Sequence, residues 1–192
     1  MRIDHFGIFA PYYEQFIRPK KPEALLENLN LPIDGMILDA GGGTGRVAQF
    51  LVGQASQIMV ADQSCQMLRE VQNKDGLLAA CSDTEWLPFA DASFERIMMV
   101  DAFHHVSVQA KTANELWRIL KPSGRLVIEE PDIRSFRVKL IALGEKLALM
   151  RSHFLYPAQI AGMFSSSAAH VQIRSDDSSV WIIVEKDDEP RQ

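Results

Sequence analysis

The sequence predicts a doubly wound α/β domain, a mostly parallel sheet covered on both faces and closed at its C-terminal end by an antiparallel hairpin. Three observations lead there. Short continuous apolar runs alternate with segments of helical period along the chain. The runs do not alternate apolar with polar, as strands with one wet face do, so they suit strands buried on both faces of a parallel sheet. Finally, two late apolar runs are separated by a connection too short for anything but a chain reversal.

Pro22 suits the first position of a helix bearing Leu25, Leu26 and Leu29, because the donor it lacks is unused there. Met36-Ile37-Leu38 follows as a strand ending at Asp39. Thr44 is the expected N-cap of a helix with Val47, Phe50 and Leu51 on one face. Ile58-Met59-Val60-Ala61 ends at Asp62, and Ser64 is placed to cap a helix carrying Leu68 and Val71. Leu77-Leu78-Ala79-Ala80-Cys81 runs out before Asp83, and Ile97-Met98-Met99-Val100 ends at Asp101. Ala113, Leu116, Trp117 and Leu120 form a helical stripe that Pro122 and Gly124 are expected to terminate. Leu126-Val127-Ile128 ends at Glu129 and Glu130. Phe136, Leu140, Leu143, Leu147 and Met150 recur in steps of four and three residues, one stripe of a long amphipathic helix. The hairpin strands run from Val171 to Ile173 and from Val180 to Val184, joined through Asp176-Asp177-Ser178-Ser179. The β-α-β-α order implies right-handed crossovers.

With 192 residues, the chain is read as one domain, since about 150 residues per domain is the usual size. Twenty basic against 25 acidic residues leave a net charge of −5, which argues against a phosphate-tracking or anionic-membrane surface. Two cysteines, Cys65 and Cys81, are too few for a disulfide framework, and zinc would need other ligands beside them. Met1-Arg2-Ile3-Asp4-His5 lacks the apolar run of a signal peptide, and no apolar stretch is long enough to span a bilayer. The expectation is an acidic cytoplasmic domain with no membrane span and no nucleic-acid partner.

Asp39, Asp62, Asp83 and Asp101 stand at or just past the ends of four successive strands, 23, 21 and 18 residues apart. Ligands of open α/β sheets bind along that edge, and scattered surface carboxylates would not fall repeatedly in such phase. The first strand runs into Asp39-Ala40-Gly41-Gly42-Gly43-Thr44-Gly45, where glycines allow positive φ and close approach of a ligand to backbone. Counted from Gly41, the sixth place is Arg46, whereas a nicotinamide fingerprint needs glycine or alanine there. The G-x-x-x-x-G-K-[ST] pattern of a P-loop is absent too.

These residues resemble the class I S-adenosylmethionine (SAM)-dependent methyltransferases, in particular the small-molecule group that includes the ubiquinone/menaquinone C-methyltransferases. The resemblance covers most of the chain. Besides the 37–45 stretch and Asp62, it rests on Ser82-Asp83-Thr84-Glu85-Trp86-Leu87-Pro88-Phe89 with Phe94, on Asp101-Ala102-Phe103-His104-His105-Val106, and on Leu120-Lys121-Pro122-Ser123-Gly124-Arg125-Leu126. Phe6-Gly7-Ile8-Phe9-Ala10-Pro11-Tyr12-Tyr13 is similar to the family's N-terminal segment. It implies a Rossmann-like seven-stranded sheet spanning residues 1–192 as one domain, with an N-terminal lid over 1–30 and a helical acceptor-side insertion over 134–165.

Site residues follow from the same resemblance. Gly41, Gly43 and Gly45 would pack against the methionyl part of SAM, with Asp39 orienting its ammonium group. Asp62 would accept from both ribose hydroxyls, a task suited to a carboxylate, and Asp83 from the adenine amino group, with the Thr84 N–H on a ring nitrogen. Gln63 and Ser82 flank these carboxylates and complete the cofactor set. Met67 is either an adenine-face contact or helix core. Asp101 and Phe103 would approach the transferring methyl, and Tyr13 would close over the cofactor. His104 and His105 are the candidates for a catalytic base, needed only if the acceptor must lose a proton. Framework or pocket-wall roles compete for both. A metal at Asp101, His104 and Glu129 lacks diagnostic spacing. Glu129, Glu130 and Asp132 either contact the acceptor or simply end the fifth strand, the safer reading. The 134–165 segment offers aromatic and apolar side chains for a small apolar or aromatic acceptor or a homodimer contact. The competing readings are an NAD(P)-dependent oxidoreductase, against which Arg46 and the absence of a Tyr-x-x-x-Lys pair stand, and a non-catalytic SAM-binding partner or sensor.

Overall fold

A computed structural model describes residues 22–135, 152–165, 168–176 and 179–188. Residues 1–21 of the expected 1–30 lid, Tyr13 among them, and the 136–150 helix stripe lie outside the described residues. Helix α1 (Pro22–Leu29) starts at its proline and buries Leu25 and Leu29. Five parallel strands follow: β1 (Met36–Ala40), β2 (Gln57–Asp62), β3 (Leu77–Cys81), β4 (Phe94–Val100) and β5 (Leu120–Pro131). The hairpin is β6 (Ala169–Ser175) and β7 (Ser179–Lys186), and the seven-stranded sheet has the order β3-β2-β1-β4-β5-β7-β6. β7 pairs antiparallel with β5, leaving β6 at the edge.

The continuous apolar runs are explained by two cores, one on each face. Leu38, Ile97, Met99, Leu126, Ile128 and Ile182 point into one. Ile37, Met98, Val127 and Ile183, their neighbours in sequence, point into the other. Alternate side chains on a strand face opposite ways, so a strand covered twice needs an apolar residue at every position. Helix α3 (Gln109–Ile119) supplies Ala113, Leu116 and Ile119 to the first core, joined by Ile160 of α4 (Pro157–Gly162). The second core takes Leu25 and Leu29 of α1, and Leu68 and Val71 of the short helix α2 (Leu68–Val71). β3 is the other edge strand, and its Leu78 is left 46% exposed.

Four local expectations are corrected. Thr44 does not cap a helix. Positive φ at Gly43 and Gly45 keeps the chain in turns until a 3-10 segment, Ala48–Leu51, whose N-cap is Val47. The Thr44 hydroxyl is buried without a partner among the described residues, and Phe50 lies 51% exposed instead of sharing the buried face of Val47 and Leu51. Pro122 and Gly124 do not end α3, which stops at Ile119. They sit inside β5, where register shifts between the Phe94–Leu120 and Arg96–Arg125 pairings, because a proline has no N–H for the ladder. Cys65 and Cys81, too few for a framework, nevertheless form one disulfide. Ser64 is not the N-cap of α2 either, which is Met67 without a side-chain cap; the Ser64 Oγ instead accepts the Met67 N–H at 3.4 Å in the turn before the helix. Among the described residues no helix is long and apolar enough to cross a membrane.

Candidate functional site

The chain winds from β1 outward to β3, then returns to lay β4 on the other side of β1. That reversal splays the loops after β1 and β4 apart and opens a cleft at the carboxyl ends of the strands. The cleft holds about 1010 Å³ free of protein atoms, open solvent at its mouth included. Asp39, Gly41, Gly43, Asp62, Gln63, Met67, Asp83, Thr84, Asp101 and His105 all line it. Gly45, Ser82, Phe103 and His104 do not. Gly45 faces Leu77, Val71 and Val60, Phe103 is in the core, and the Ser82 hydroxyl is buried without a partner among the described residues.

Asp39 is the most unusual group. It is 1% exposed, and among the described residues neither carboxylate oxygen has a hydrogen-bond partner. Burial raises its pKa from 3.8 to about 7, with nearby Asp62 pushing the same way. Arg46 opposes this, as does the Ala48 backbone N–H, which attracts the group without meeting hydrogen-bond geometry. A buried carboxylate left without donors is costly and marks a place where a ligand cation can complete the structure.

The glycine loop passes directly over it. Gly41 has φ +72° and its N–H donates to the Ala61 carbonyl at 2.7 Å, and a Cβ there would lie 2.9 Å from Ala102 Cβ. Gly41→Ala should therefore destabilise the fold by about 1–2 kcal/mol or more, the penalty of left-handed backbone for an L-residue, read as a lower midpoint in urea. An unchanged midpoint would show that the loop relaxes freely.

Asp62 is held by two backbone donors: Gly43 N–H reaches Oδ2 at 2.9 Å and Ser64 N–H reaches Oδ1 at 2.8 Å. Each oxygen keeps further lone-pair capacity. Met67 is both core and wall, since it is buried, lines the cleft, and would crowd a Cβ on Gly43 with its Cε at 2.9 Å. Asp83 closes an Asx turn, its Oδ1 accepting the Glu85 N–H at 3.0 Å. Glu85, also a wall residue, accepts the Val108 N–H at 2.7 Å just before α3.

Beyond β4 the wall is a strained turn. Asp101 has φ +51°, a conformation non-glycine residues hold only where surroundings enforce it. Its N–H donates to the Glu129 carbonyl at 2.9 Å. The residues that follow are anchored by Glu130, which accepts the Phe103 N–H at 2.9 Å and meets His104 Nδ1 at 2.6 Å. Glu130 is buried, and burial raises its pKa against the pull of His104. The His104 ring is stacked on Phe154, with centroids 4.3 Å apart, and lies 4.0 Å from the His105 ring. Only His105 reaches the cleft, with its Nδ1 3.2 Å from Ser152 Oγ. Burial first, then the neighbouring His104, lowers its pKa to about 3, so at neutral pH it presents an uncharged ring. Gln109 Nε2 ties the turn to the 152–165 segment by donating to the carbonyls of Phe103 and His153.

Sequence reasoning missed Val47, Ser64, Glu85, Met99, Val100, Ala102, Val106 and Ser107 as wall residues, and Arg46 as one that acts on Asp39. Their sequence signal was adjacency to the acidic strand ends. Among the described residues no three His, Cys, Asp or Glu side chains are grouped to hold a metal.

Residues 38–128 match a family model described as a methyltransferase domain. The ubiquinone/menaquinone biosynthesis C-methyltransferase UbiE of Klebsiella pneumoniae is 34% identical over 104 residues, covering 49% of this chain and 41% of that relative. The match thus spans about two fifths of the relative's length. A chain of the complex between the Haloferax volcanii Trm112 methyltransferase activator and a methyltransferase superposes with a TM-score of 0.81 at 16% identity, over 97% of this chain and all of that one. A SAM-dependent methyltransferase from Aquifex aeolicus superposes at 0.72 with 17% identity, over 91% and 97% of the two chains.

Proposed function

We propose that the protein, whose residues 38–128 match a methyltransferase-domain model, moves a methyl group from SAM to a small, apolar or aromatic acceptor. The observation that carries the proposal is Asp39, a buried carboxylate without donors beneath a glycine loop, which fits a ligand bearing an ammonium group. The cleft fits the rest of SAM as well. Asp62, pre-aligned by the Gly43 and Ser64 amides, is suited to a pair of ribose hydroxyls. Gln63, Met67, Asp83 and Thr84 form a wall suited to a base, apolar on one side and polar at its edge.

When bound, SAM supplies a methyl group on a sulfonium that departs as a neutral thioether. The chain's part is to align the partners and exclude water, and alignment alone can be worth about 7–11 kcal/mol. Met99, Val100, Ala102 and Val106 supply an apolar wall beyond Asp101. His105 faces the acceptor as a neutral ring, able to exchange a hydrogen bond but too weak a base to hold a proton at neutral pH. His104 acts through Glu130 as a positioning residue. The name of the Klebsiella relative, a quinone-pathway C-methyltransferase, supports an apolar, ring-shaped acceptor. A cytoplasmic setting, no nucleic-acid partner and a homodimer contact through 134–165 complete the proposal.

Calorimetry with SAM, S-adenosylhomocysteine and NAD(P)H tests it. Both adenosyl compounds should bind, and Asp62→Ala should weaken them by about 1–3 kcal/mol, the loss of charge-assisted hydrogen bonds. Tight NAD(P)H binding with no SAM binding would overturn the reading. Label transfer from methyl-labelled SAM into a metabolite extract then separates an enzyme from a SAM-binding partner.

A further inference from the structure

The disulfide between Cys65 and Cys81 has no part in methyl transfer, yet it sits against the adenosine side of the cleft. Its Cα atoms are 5.4 Å apart and both residues are exposed. It ties the loop after β2 to the end of β3, where Asp62 is already the register partner of Cys81. Ser64, beside Cys65, donates its N–H to Asp62 Oδ1, and Ser82, beside Cys81, donates its N–H to the Asp62 carbonyl at 2.9 Å. The two ends of the bridge thus grip one carboxylate residue from both sides.

The two redox states differ at a cleft residue as well. The Cys81 sulfur lies 3.8 Å from the Gln63 carbonyl oxygen. As a thiol it can donate to that oxygen, and as half of a disulfide it cannot. The chain has only two cysteines, so no third thiol within it can open the bridge. In a reducing cytosol, where thiols are kept reduced, a disulfide of this kind is a transient state.

We propose that the Cys65 and Cys81 pair is a modification site for an external dithiol reductant, and that its oxidation state sets the affinity of the adjoining cleft for the adenosyl ligand. The inference rests on reading that cleft as the SAM site. One thiolate of the reductant attacks an exposed sulfur, giving a mixed disulfide and one free cysteine. The reductant's second thiol then displaces the other cysteine. The protein's S–S bond breaks and gains two electrons and two protons, and the dithiol leaves as a disulfide. With the bridge open, residues 63–67 must be ordered by the ligand instead of by the covalent link, and that ordering weakens binding. Coupling between sites is reciprocal, so bound ligand must protect the bridge from reduction by the same factor.

The test uses the intact protein, S-adenosylhomocysteine as ligand and dithiothreitol as the dithiol, with free thiols counted by a chromogenic disulfide reagent. Affinity should fall about 5- to 50-fold on reduction, within the usual span for coupled sites. A Cys65→Ser, Cys81→Ser double variant should bind at the weaker level and ignore dithiothreitol. Saturating S-adenosylhomocysteine should raise the dithiothreitol ratio needed for half-reduction by the same factor as the affinity change. Equal affinity in both states, within twofold, overturns the proposal while leaving the cofactor reading intact. Two free thiols after oxidation of the untreated protein overturn it as well. Failure of S-adenosylhomocysteine to bind in either state overturns both. If the double variant does not fold, the comparison of oxidised and reduced wild type still decides.

Discussion

Asp39→Asn should make the ligand-free protein more stable above neutral pH while weakening its hold on SAM. In the unfolded chain this carboxyl titrates near 3.8, and in the fold near 7. Between those values the folded state binds more protons than the unfolded one, so the group's contribution declines as pH rises through that window. The full penalty, present above pH 7, is of order 4 kcal/mol. An asparagine removes the charge but leaves a buried amide, whose unmet hydrogen bonds cost about 1–3 kcal/mol. The net gain at pH 8 is thus about 1–3 kcal/mol, visible as a higher urea midpoint, and at pH 4 the sign should reverse. Ligand binding should move the other way. Wild-type affinity for S-adenosylhomocysteine should tighten from pH 5.5 to 7.5 as the carboxyl ionises to meet an ammonium, whereas the variant should be flat and weaker by about 1.5–3 kcal/mol. A variant equally destabilised at pH 4 and pH 8 would show that Asp39 is not held against its charge.

Glu130→Ala should cost about 3–5 kcal/mol of stability, the loss seen when one member of a buried pair is removed. The Glu130 carboxyl accepts the Phe103 N–H and shares a hydrogen bond with His104 Nδ1, and both would lose that partner in a site covered by Phe154. Because the same turn carries the left-handed Asp101, the variant should also loosen the wall that includes His105. Glu130→Gln keeps an acceptor for the amide and offers a donor to His104, so it should recover most of the stability. In that variant His104 Nδ1 should accept from the amide, leaving the ring proton on Nε2, a tautomer readable in the nitrogen NMR shifts of the ring. Urea unfolding of the alanine variant within 1 kcal/mol of wild type would show that the turn holds itself.

The strands were legible because both faces of the sheet are covered, which leaves no polar position inside a run such as 97–100 and makes the pattern simple. The acidic edge was legible for a related reason: parallel strands all end on the same side, so residues that close successive strands converge. Local chemistry was read less well. Thr44 looks like a cap, but the glycines around it hold the backbone in turns. Pro122 looks like a helix stop, but α3 ends earlier and the proline lies in an irregular stretch of β5.

The sequence by itself determined the fold class, the sheet edge that carries the cleft, and that Asp39, Asp62 and Asp83 stand along it, because these depend on period, phase and residue type. Only the tertiary structure decided which of two adjacent histidines meets the cleft, that Glu130 is an anchor 27 residues from its amide donor, and that the two cysteines are partners. Each depends on register between distant segments and on which way a single turn points its side chains. Contacts between elements set those two quantities, and the order of residues along the chain carries no local mark of them.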